Sequence, residues 1–364
     1  MKVLILAQPN DGHTLPIRWA LQQAGYQAVC WGGLSWTEEQ QASVFLDGES
    51  RVVLGPHAVE PGDTVWIRRP DPPTPNPKVS EADRKFAQGE YGAFYHCVAY
   101  MLEMLPARCI NKYSAYRLVA NKAVQLHLAR ASGLKIPKAI MSNSPRAVIS
   151  FFDHNPSRII WKGFTPHVWE RPDIGATAAT ETFELNRNQL PADEILTYAP
   201  GIYQDMVDKQ FDVRTVLMGN RAYSFSLHSP DKALDWRHEA GQGKIHVEAI
   251  ATPPDVERGI MAFAQRTGIC FGSIDFAVDM DGAWWFLEIN EQGQFLWLDH
   301  FDRTAAILQK FCAFLTAPEG SIQPLEERAS LFPSFAEYKK FVEREGEPKI
   351  AAAGPDSPYV SRES

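Results

Sequence analysis

At 364 residues, with 45% hydrophobic and 22% charged content, the chain reads as a soluble globular protein long enough for two or three subdomains. A net charge of −8 argues against a nucleic-acid binder, whose phosphate contacts need a basic face, but leaves room for a local basic cleft around a phosphorylated small molecule. Five scattered cysteines (Cys30, Cys97, Cys109, Cys270 and Cys312), odd in number and without C-x-x-C spacing, fit free thiols in a reducing cytoplasm. The opening MKVLILAQPNDGH is expected to carry no secretory signal, and no stretch approaches the roughly 18 apolar residues needed to span a bilayer.

In chain order, VLILA, a polar loop and PIRWALQQAGYQAVCW predict strand, loop, helix and strand, with Gly25 closing the helix. TVWIRRP predicts a further strand. The proline-dense DPPTPNPKVS is expected to lack regular structure. A long helix is expected from about Glu81 to Leu105, stopped by Pro106, so that residues 1–110 form one α/β domain. INKYSAYRLVANKAVQLHLARASG predicts a helix ending at Gly133, and IPKAIMSN and RIIWKG predict strands. From TYAPGIYQDMV onward the pattern turns to β, with FDVRTVLMG-NR-AYSFSLHS a hairpin through Gly219 and Asn220. VERGIMAFAQRTGI predicts a helix, and SIDFAVD-MDG-AWWFLEIN a second hairpin. A helix near residues 302–316 follows. The tail 318–364 is polar, with one possible helix in SFAEYKKFVERE, expected to dock on its own domain, and a disordered-looking end.

The stretch FLEINEQGQ concentrates the chemistry. Period-two alternation puts Glu288 and Asn290 on one face of a strand whose neighbours are aromatic, and an unpaired carboxylate there is costly. The MDG turn lets Asp275 approach Glu288 across the hairpin. Two carboxylates and a carboxamide oxygen make a hard-oxygen site of the kind Mg²⁺ takes together with substrate phosphates. Lys122, Lys162, Arg214 and Arg237 supply cations for a polyphosphate. Alternation also puts Asp212 and Arg214 on one face, where they could form a mere surface ion pair. No H-E-x-x-H, G-x-S-x-G or Walker A motif occurs, which speaks against zinc-protease, nucleophilic-serine and P-loop chemistry.

At this point the chain resembles the ATP-grasp superfamily, whose last strands carry Asp and then Glu-x-Asn as magnesium ligands. The continuation GQFLWLD, together with VWIRRPDPP, NKAVQLHLARASGLKIP, GIYQDMVDKQFDVR and LDWRHE, is similar to the graspetide ligases that crosslink ribosomal peptides in the manner of microviridin maturation. The resemblance covers residues 1–316.

It implies an ATP-grasp fold with an N-terminal Rossmann-like domain (1–110), a central subdomain (111–203), a C-terminal subdomain with the metal site (204–317) and the tail. It implies ATP and two Mg²⁺ ions as cofactors, with Asp275, Glu288 and Asn290 as metal ligands. Lys122 and Lys162 would hold the α- and β-phosphates. Gln204, Asp205, Met206 and Val207 would form the hinge meeting the adenine edge, with Asp212 on the ribose. Arg214 and Arg237 would be catalytic. Arg68 and Arg69 could bind an acidic substrate or decorate a surface.

The implied reaction activates a carboxylate to an acyl phosphate for attack by an amine or hydroxyl, on a precursor peptide, in a cytoplasmic homodimer or larger homo-oligomer. Rival readings are a free-standing ligase joining an amino acid to a small molecule or protein terminus, and a non-catalytic ATP-binding regulator. The segment 163–182, where the family covers the phosphates with a flexible loop, departs from the pattern by being long, irregular and poor in glycine. Glu291, in place of the proline common in related ligases, is a second departure.

Overall fold

The computed structural model describes residues 1–8, 10–165, 168–171, 176–179, 182–230, 234–302, 304–318 and 324–346. It divides into two compact units, one of residues 1–113 with 294–364 and one of residues 114–293.

The first unit is built on a parallel sheet of β1 (Lys2–Ala7), β2 (Gln27–Trp31), β3 (Thr64–Arg69) and β4 (Arg108–Ile110), in the order β2-β1-β3-β4. The unbroken apolar run of β1 suits an interior parallel strand covered on both faces. The helix Thr14–Gln23 follows β1 and ends at Gly25, whose φ of +82° is the left-handed conformation that glycine adopts without strain.

One sequence expectation fails here. Asp71–Thr74, inside the proline-dense segment, is a short strand paired in parallel with Gly33–Ser35. Pro72 and Pro73 lack amide donors, but an edge strand needs only its alternate groups, and the Asp71 amide meets the Gly32 carbonyl at 2.6 Å.

The helix Ile307–Thr316 belongs to this first unit, although it reads in sequence as the end of the C-terminal subdomain. Phe311 packs edge-on to Trp66 of β3, and Thr64 Oγ1 donates to the Leu315 carbonyl at 3.0 Å. The tail helix, Phe335–Glu345, is capped by Ser334 and Glu337, and sets Tyr338 and Phe341 against Trp19. The last residues, AAAGPDSPYVSRES, lie outside the described residues.

The second unit contains two sheets and a separate hairpin. Its strands are β5 (Ala139–Ser142), β6 (Ile159–Lys162), β7 (Val168–Arg171), β8 (Ala176–Ala179), β9 (Phe183–Leu185), β10 (Gly201–Asp205), β11 (Lys209–Met218), β12 (Arg221–His228), β13 (His246–Ile250), β14 (Phe271–Asp279) and β15 (Trp284–Asn290).

The smaller antiparallel sheet runs β5-β10-β6-β9, and the helix Pro145–Asp153 buries Val148 and Phe152 against Ile159 and Tyr203. The larger runs β13-β12-β11-β14-β15. The helices Lys122–Ala131 and Pro254–Thr267 cover one face of it, over Val213, Ile274, Phe276, Phe286 and Ile289. The single helix expected before Gly133 is two, Tyr113–Val119 and Lys122–Ala131. Asn121 breaks it by capping the second with its side-chain oxygen on the Ala123 and Val124 amides. Within the segment 163–182, β7 and β8 pair antiparallel, and residues 166–167, 172–175 and 180–181 lie outside the described residues.

Candidate functional site

The geometry starts from a β-bulge. Asp275 of β14 pairs with Glu288 of β15, yet the next pair is Phe276 with Phe286, so Leu287 is an extra residue in β15. Before the bulge, Trp284 and Phe286 point into the core; after it, Ile289 does. Strict alternation would have put Glu288 on the core face with Phe286. The bulge reverses the parity and turns Glu288 and Asn290 to the opposite face, beside Asp275. That face carries two rows across the sheet, Glu288-Asp275-Arg214 and Asn290-Ser273-Val216.

The carboxylates are ringed by cations. Arg214 Nη1 donates to Asp275 Oδ1 at 2.6 Å, and both side chains are buried. Arg237 Nη2 donates to Glu288 Oε1 at 2.7 Å and to Asp275 Oδ2 at 3.2 Å. Lys122 Nζ donates to the other oxygen, Glu288 Oε2, at 2.8 Å. Burial alone would raise the Glu288 carboxyl, but the charges of Lys122, Arg237 and Lys162 outweigh it and hold the group down at about 2. Burial pushes the Lys162 ammonium below the ordinary lysine value, against the pull of Glu288, and neighbouring Lys122 and Arg237 push it the same way. Lys162 and Gln204 share the face of their sheet opposite Tyr203.

Several residues that arrange this cluster carry no motif. Gln125 grips the outer edge of β15, its carboxamide accepting from the Ile289 amide at 3.1 Å and donating to the Ile289 carbonyl at 3.0 Å. Lying three residues after Lys122 on one helix face, it fixes the reach of that lysine to Glu288. Trp236 sits beneath both arginines, with its ring centroid 5.4 Å from Arg214 Cζ and 5.8 Å from Arg237 Cζ. Lys209 pairs with Asp212 at 2.6 Å, and burial still lifts the Asp212 carboxyl to about 6. The i, i+3 spacing in KQFD is the one sequence signal for that pair. Asp212 and Arg214 are both buried, so the surface ion pair allowed by their spacing does not exist.

Not every candidate joins the cluster. Asn290 Oδ1 turns to its own loop and accepts from the Gln292 and Gly293 amides at 3.2 and 3.1 Å. At the hinge, the Asp205 and Met206 amides are taken by the Lys138 and Arg158 carbonyls, and the Asp205 carboxylate accepts from Asn155. A cavity of about 370 Å³ touches Asp205, Met206 and Val207 together with Pro137, Asp281 and Trp285, but none of the carboxylate cluster. In the first unit, Arg68 is buried against Asp11 and His13 and is no surface decoration.

The chemistry of the donors fits magnesium and a nucleotide. One nitrogen, Arg237 Nη2, already bridges oxygens of Asp275 and Glu288, so a single cation can serve both. Among the described residues no three His, Cys, Asp or Glu side chains converge, so a metal here would draw its remaining ligands from a carboxamide, water or phosphate. Gln204 is almost wholly buried, yet its Nε2 has no hydrogen-bond partner among the described residues, a cost that an acceptor on a ligand would remove.

No protein-family model and no curated protein sequence matches the chain. Solved structures do. A RiPP-associated ATP-grasp ligase of Chryseobacterium gregarium, in complex with ADP and a leader and core peptide, is 24% identical, with 87% of this chain and 97% of that one covered and a TM-score of 0.75. The macrocyclase MdnC of Microcystis aeruginosa MRC, bound with precursor peptide MdnA, is 22% identical over 86% of this chain and 99% of that one, with a TM-score of 0.68. The ATP-grasp ligase PsnB, complexed with a precursor variant, Mg and ADP, is 18% identical over 86% of this chain and 97% of that one, with a TM-score of 0.65. At such identities the likeness is one of architecture, and by it the chain has the ATP-grasp fold.

Proposed function

We propose that the protein is an ATP-dependent carboxylate–amine/hydroxyl ligase that forms ester or amide crosslinks between side chains of a ribosomally made precursor peptide. The observation carrying this reading is the cross-strand pair Asp275–Glu288, turned out of the core by a bulge and ringed by Arg214, Arg237 and Lys122. A buried Asp275 beside a partly buried Glu288, both held by neighbouring cations while burial still raises the Asp275 carboxyl, is poorly explained as packing, because buried ion pairs contribute little net stability. Solved structures similar to the chain include peptide ligases bound to precursor peptides, ADP and Mg, which supports the same substrate class and cofactors.

Under this reading Asp275 and Glu288, with Asn290 once its Oδ1 leaves the Gln292 and Gly293 amides, would hold magnesium, which would supply positive charge to offset that of the transferring phosphoryl group. Lys122 and Lys162 hold the α- and β-phosphates. The hinge Gln204–Val207 meets the adenine edge, with Asp212 on the ribose. Arg214 holds Asp275 in place and offsets part of the burial that raises its carboxyl. Arg237, half exposed beside both carboxylates, stabilises charge developing on the transferred phosphoryl group and the acyl phosphate. A peptide Ser, Thr or Lys then attacks the acyl carbon, and phosphate leaves.

The parallel sheet β2-β1-β3-β4 supports reading residues 1–110 as a Rossmann-like domain. The two sheets of the second unit support central and C-terminal subdomains meeting near residue 203. Self-association and a cytoplasmic setting, which the resemblance and the scattered cysteines suggest, belong to the same proposal. No helix among the described residues is long and apolar enough to cross a membrane.

The test is to incubate the purified protein with magnesium, ATP and a Ser/Thr- and Glu/Asp-rich precursor peptide encoded beside its gene. Loss of one water mass per linkage, matched by ADP release, is expected. Slow ADP release with an unmodified peptide would reject the peptide-ligase reading.

A further inference from the structure

Ser273 lies near the start of β14, two residues before Asp275 and on the same face of the strand, since Ile274 between them points into the core. It is fully buried, yet its hydroxyl has no hydrogen-bond partner among the described residues. Buried hydroxyls elsewhere in the same sheet are paired. Thr215 meets Ser224 at 2.8 Å, and Ser226 donates to the Glu248 carbonyl at 3.4 Å. An unpaired buried hydroxyl is a cost that alanine would avoid at nearly the same volume.

Directly across the ladder from Ser273 is Asn290. Side chains paired in this way have their Cβ atoms about 4.5–5.5 Å apart, so the Asn290 carboxamide is within reach of the Ser273 hydroxyl. Its Oδ1 is turned instead to the Gln292 and Gly293 amides. Those contacts occupy the one side-chain oxygen that Asn290 could give a cation. A ligand is a poor candidate for the missing partner of Ser273, because the residue has no exposed surface for one to touch. A neighbouring side chain that changes its rotamer meets no such obstacle.

We propose that Ser273 is a positioning residue for Asn290. When Oδ1 leaves the loop amides, the carboxamide turns so that Nδ2 donates to Ser273 Oγ, which leaves Oδ1 for the cation held by Asp275 and Glu288. Asn290 thus has two resting places, one on its own loop and one on Ser273, and metal binding tips it from the first to the second. The inference rests on the reading of Asp275, Glu288 and Asn290 as the metal site. It has a consequence of definite sign. Without metal the hydroxyl destabilises the fold; with metal it makes a contact.

Thermal melting and Mn²⁺ calorimetry test this in the full-length protein. Without metal, Ser273→Ala should melt at or above the native temperature. With saturating Mn²⁺ it should melt below the native chain, and its Mn²⁺ affinity should be about fivefold weaker, the scale of one net hydrogen bond. Ser273→Cys, close in volume but a weak acceptor, should lose affinity in the same direction. In an Asn290→Ala background, Ser273→Ala should weaken Mn²⁺ binding no further, because the two residues act as one unit. A loss that persists without Asn290 would overturn the proposal. So would unchanged affinity in Ser273→Ala and Ser273→Cys while Glu288→Gln binds Mn²⁺ more weakly. If Glu288→Gln and Asn290→Ala both bind Mn²⁺ as the native chain does, the metal site itself is wrong and the role of Ser273 falls with it.

Discussion

Arg237 Nη2 lies 2.7 Å from Glu288 Oε1, and the same nitrogen is 3.2 Å from Asp275 Oδ2. One guanidinium nitrogen thus spans the two carboxylates assigned here to magnesium. A metal ion held by both carboxylates would compete with Arg237 for the same oxygens, so the arginine would have to give way. Arg237→Ala should therefore bind Mn²⁺ at least several-fold more tightly in calorimetry without nucleotide. It should leave ATP binding nearly intact while lowering turnover about 10²–10³-fold, the scale for losing one donor to a developing charge. Unchanged metal affinity, or a defect confined to ATP affinity, would refute the role given to Arg237.

Glu288→Gln should abolish turnover without unfolding the protein, because the side chain faces the cation cluster and not the core. Its low folded value, about 2 against an ordinary 4.5, has a definite sign. The stabilisation it gives is fully present above about pH 4.5 and is lost as pH falls toward 2. Thermal melting of the native chain and the variant across that window checks the linkage, and full activity at saturating magnesium would remove Glu288 from the metal site.

Lys162 provides a test at the other end of the scale. Its folded value lies below 10.5, through burial first and then Lys122 and Arg237. Polyphosphate binding favours the charged form, so ATP affinity should weaken as pH rises through that lowered value, before ordinary lysines titrate. Lys162→Arg should flatten the dependence, since guanidinium stays charged. Calorimetric affinities that show the same pH profile in both proteins would argue against a phosphate contact.

Truncation after Ala317 should leave magnesium-ATP binding largely unchanged if the protein folds, because the tail carries none of the assigned nucleotide residues. It also strips Tyr338 and Phe341 from Trp19, and Tyr338→Ala alone should cost about 3 kcal/mol, the scale for losing a buried aromatic. Denaturant melts of that point variant and nucleotide titration of the truncated chain separate the two effects. Loss of ATP binding by a well-folded truncation would give the tail a role in the site.

Much of this arrangement is legible in the sequence, because local signals carry it. The MDG turn sets the hairpin of Asp275 and Glu288, and Gly219 with Asn220 sets the other. What is not legible depends on events between distant segments. Period-two counting places Glu288 beside Phe286, and only the pairing register shows Leu287 as the extra residue that turns the carboxylate away. The helix Ile307–Thr316 returns to the first unit because Phe311 finds Trp66, a contact between residues 245 positions apart that no periodicity encodes. Gln125 carries no motif, since its role is to imitate the next strand on the edge of β15. Asp71–Thr74 is not legible as a strand because its prolines forbid an interior strand but not an edge one.

The central claim is that ATP activates a peptide carboxylate by phosphorylating it, and oxygen tracing tests this most directly. A precursor peptide with heavy oxygen in its Glu and Asp side-chain carboxylates is incubated with the protein, magnesium and ATP, and the released phosphate is analysed by mass spectrometry. Attack by the carboxylate oxygen on the γ-phosphorus, followed by cleavage of the acyl carbon–oxygen bond, carries that oxygen into phosphate. One labelled phosphate per crosslink is the predicted result. Unlabelled phosphate accompanying crosslinked peptide would contradict the account.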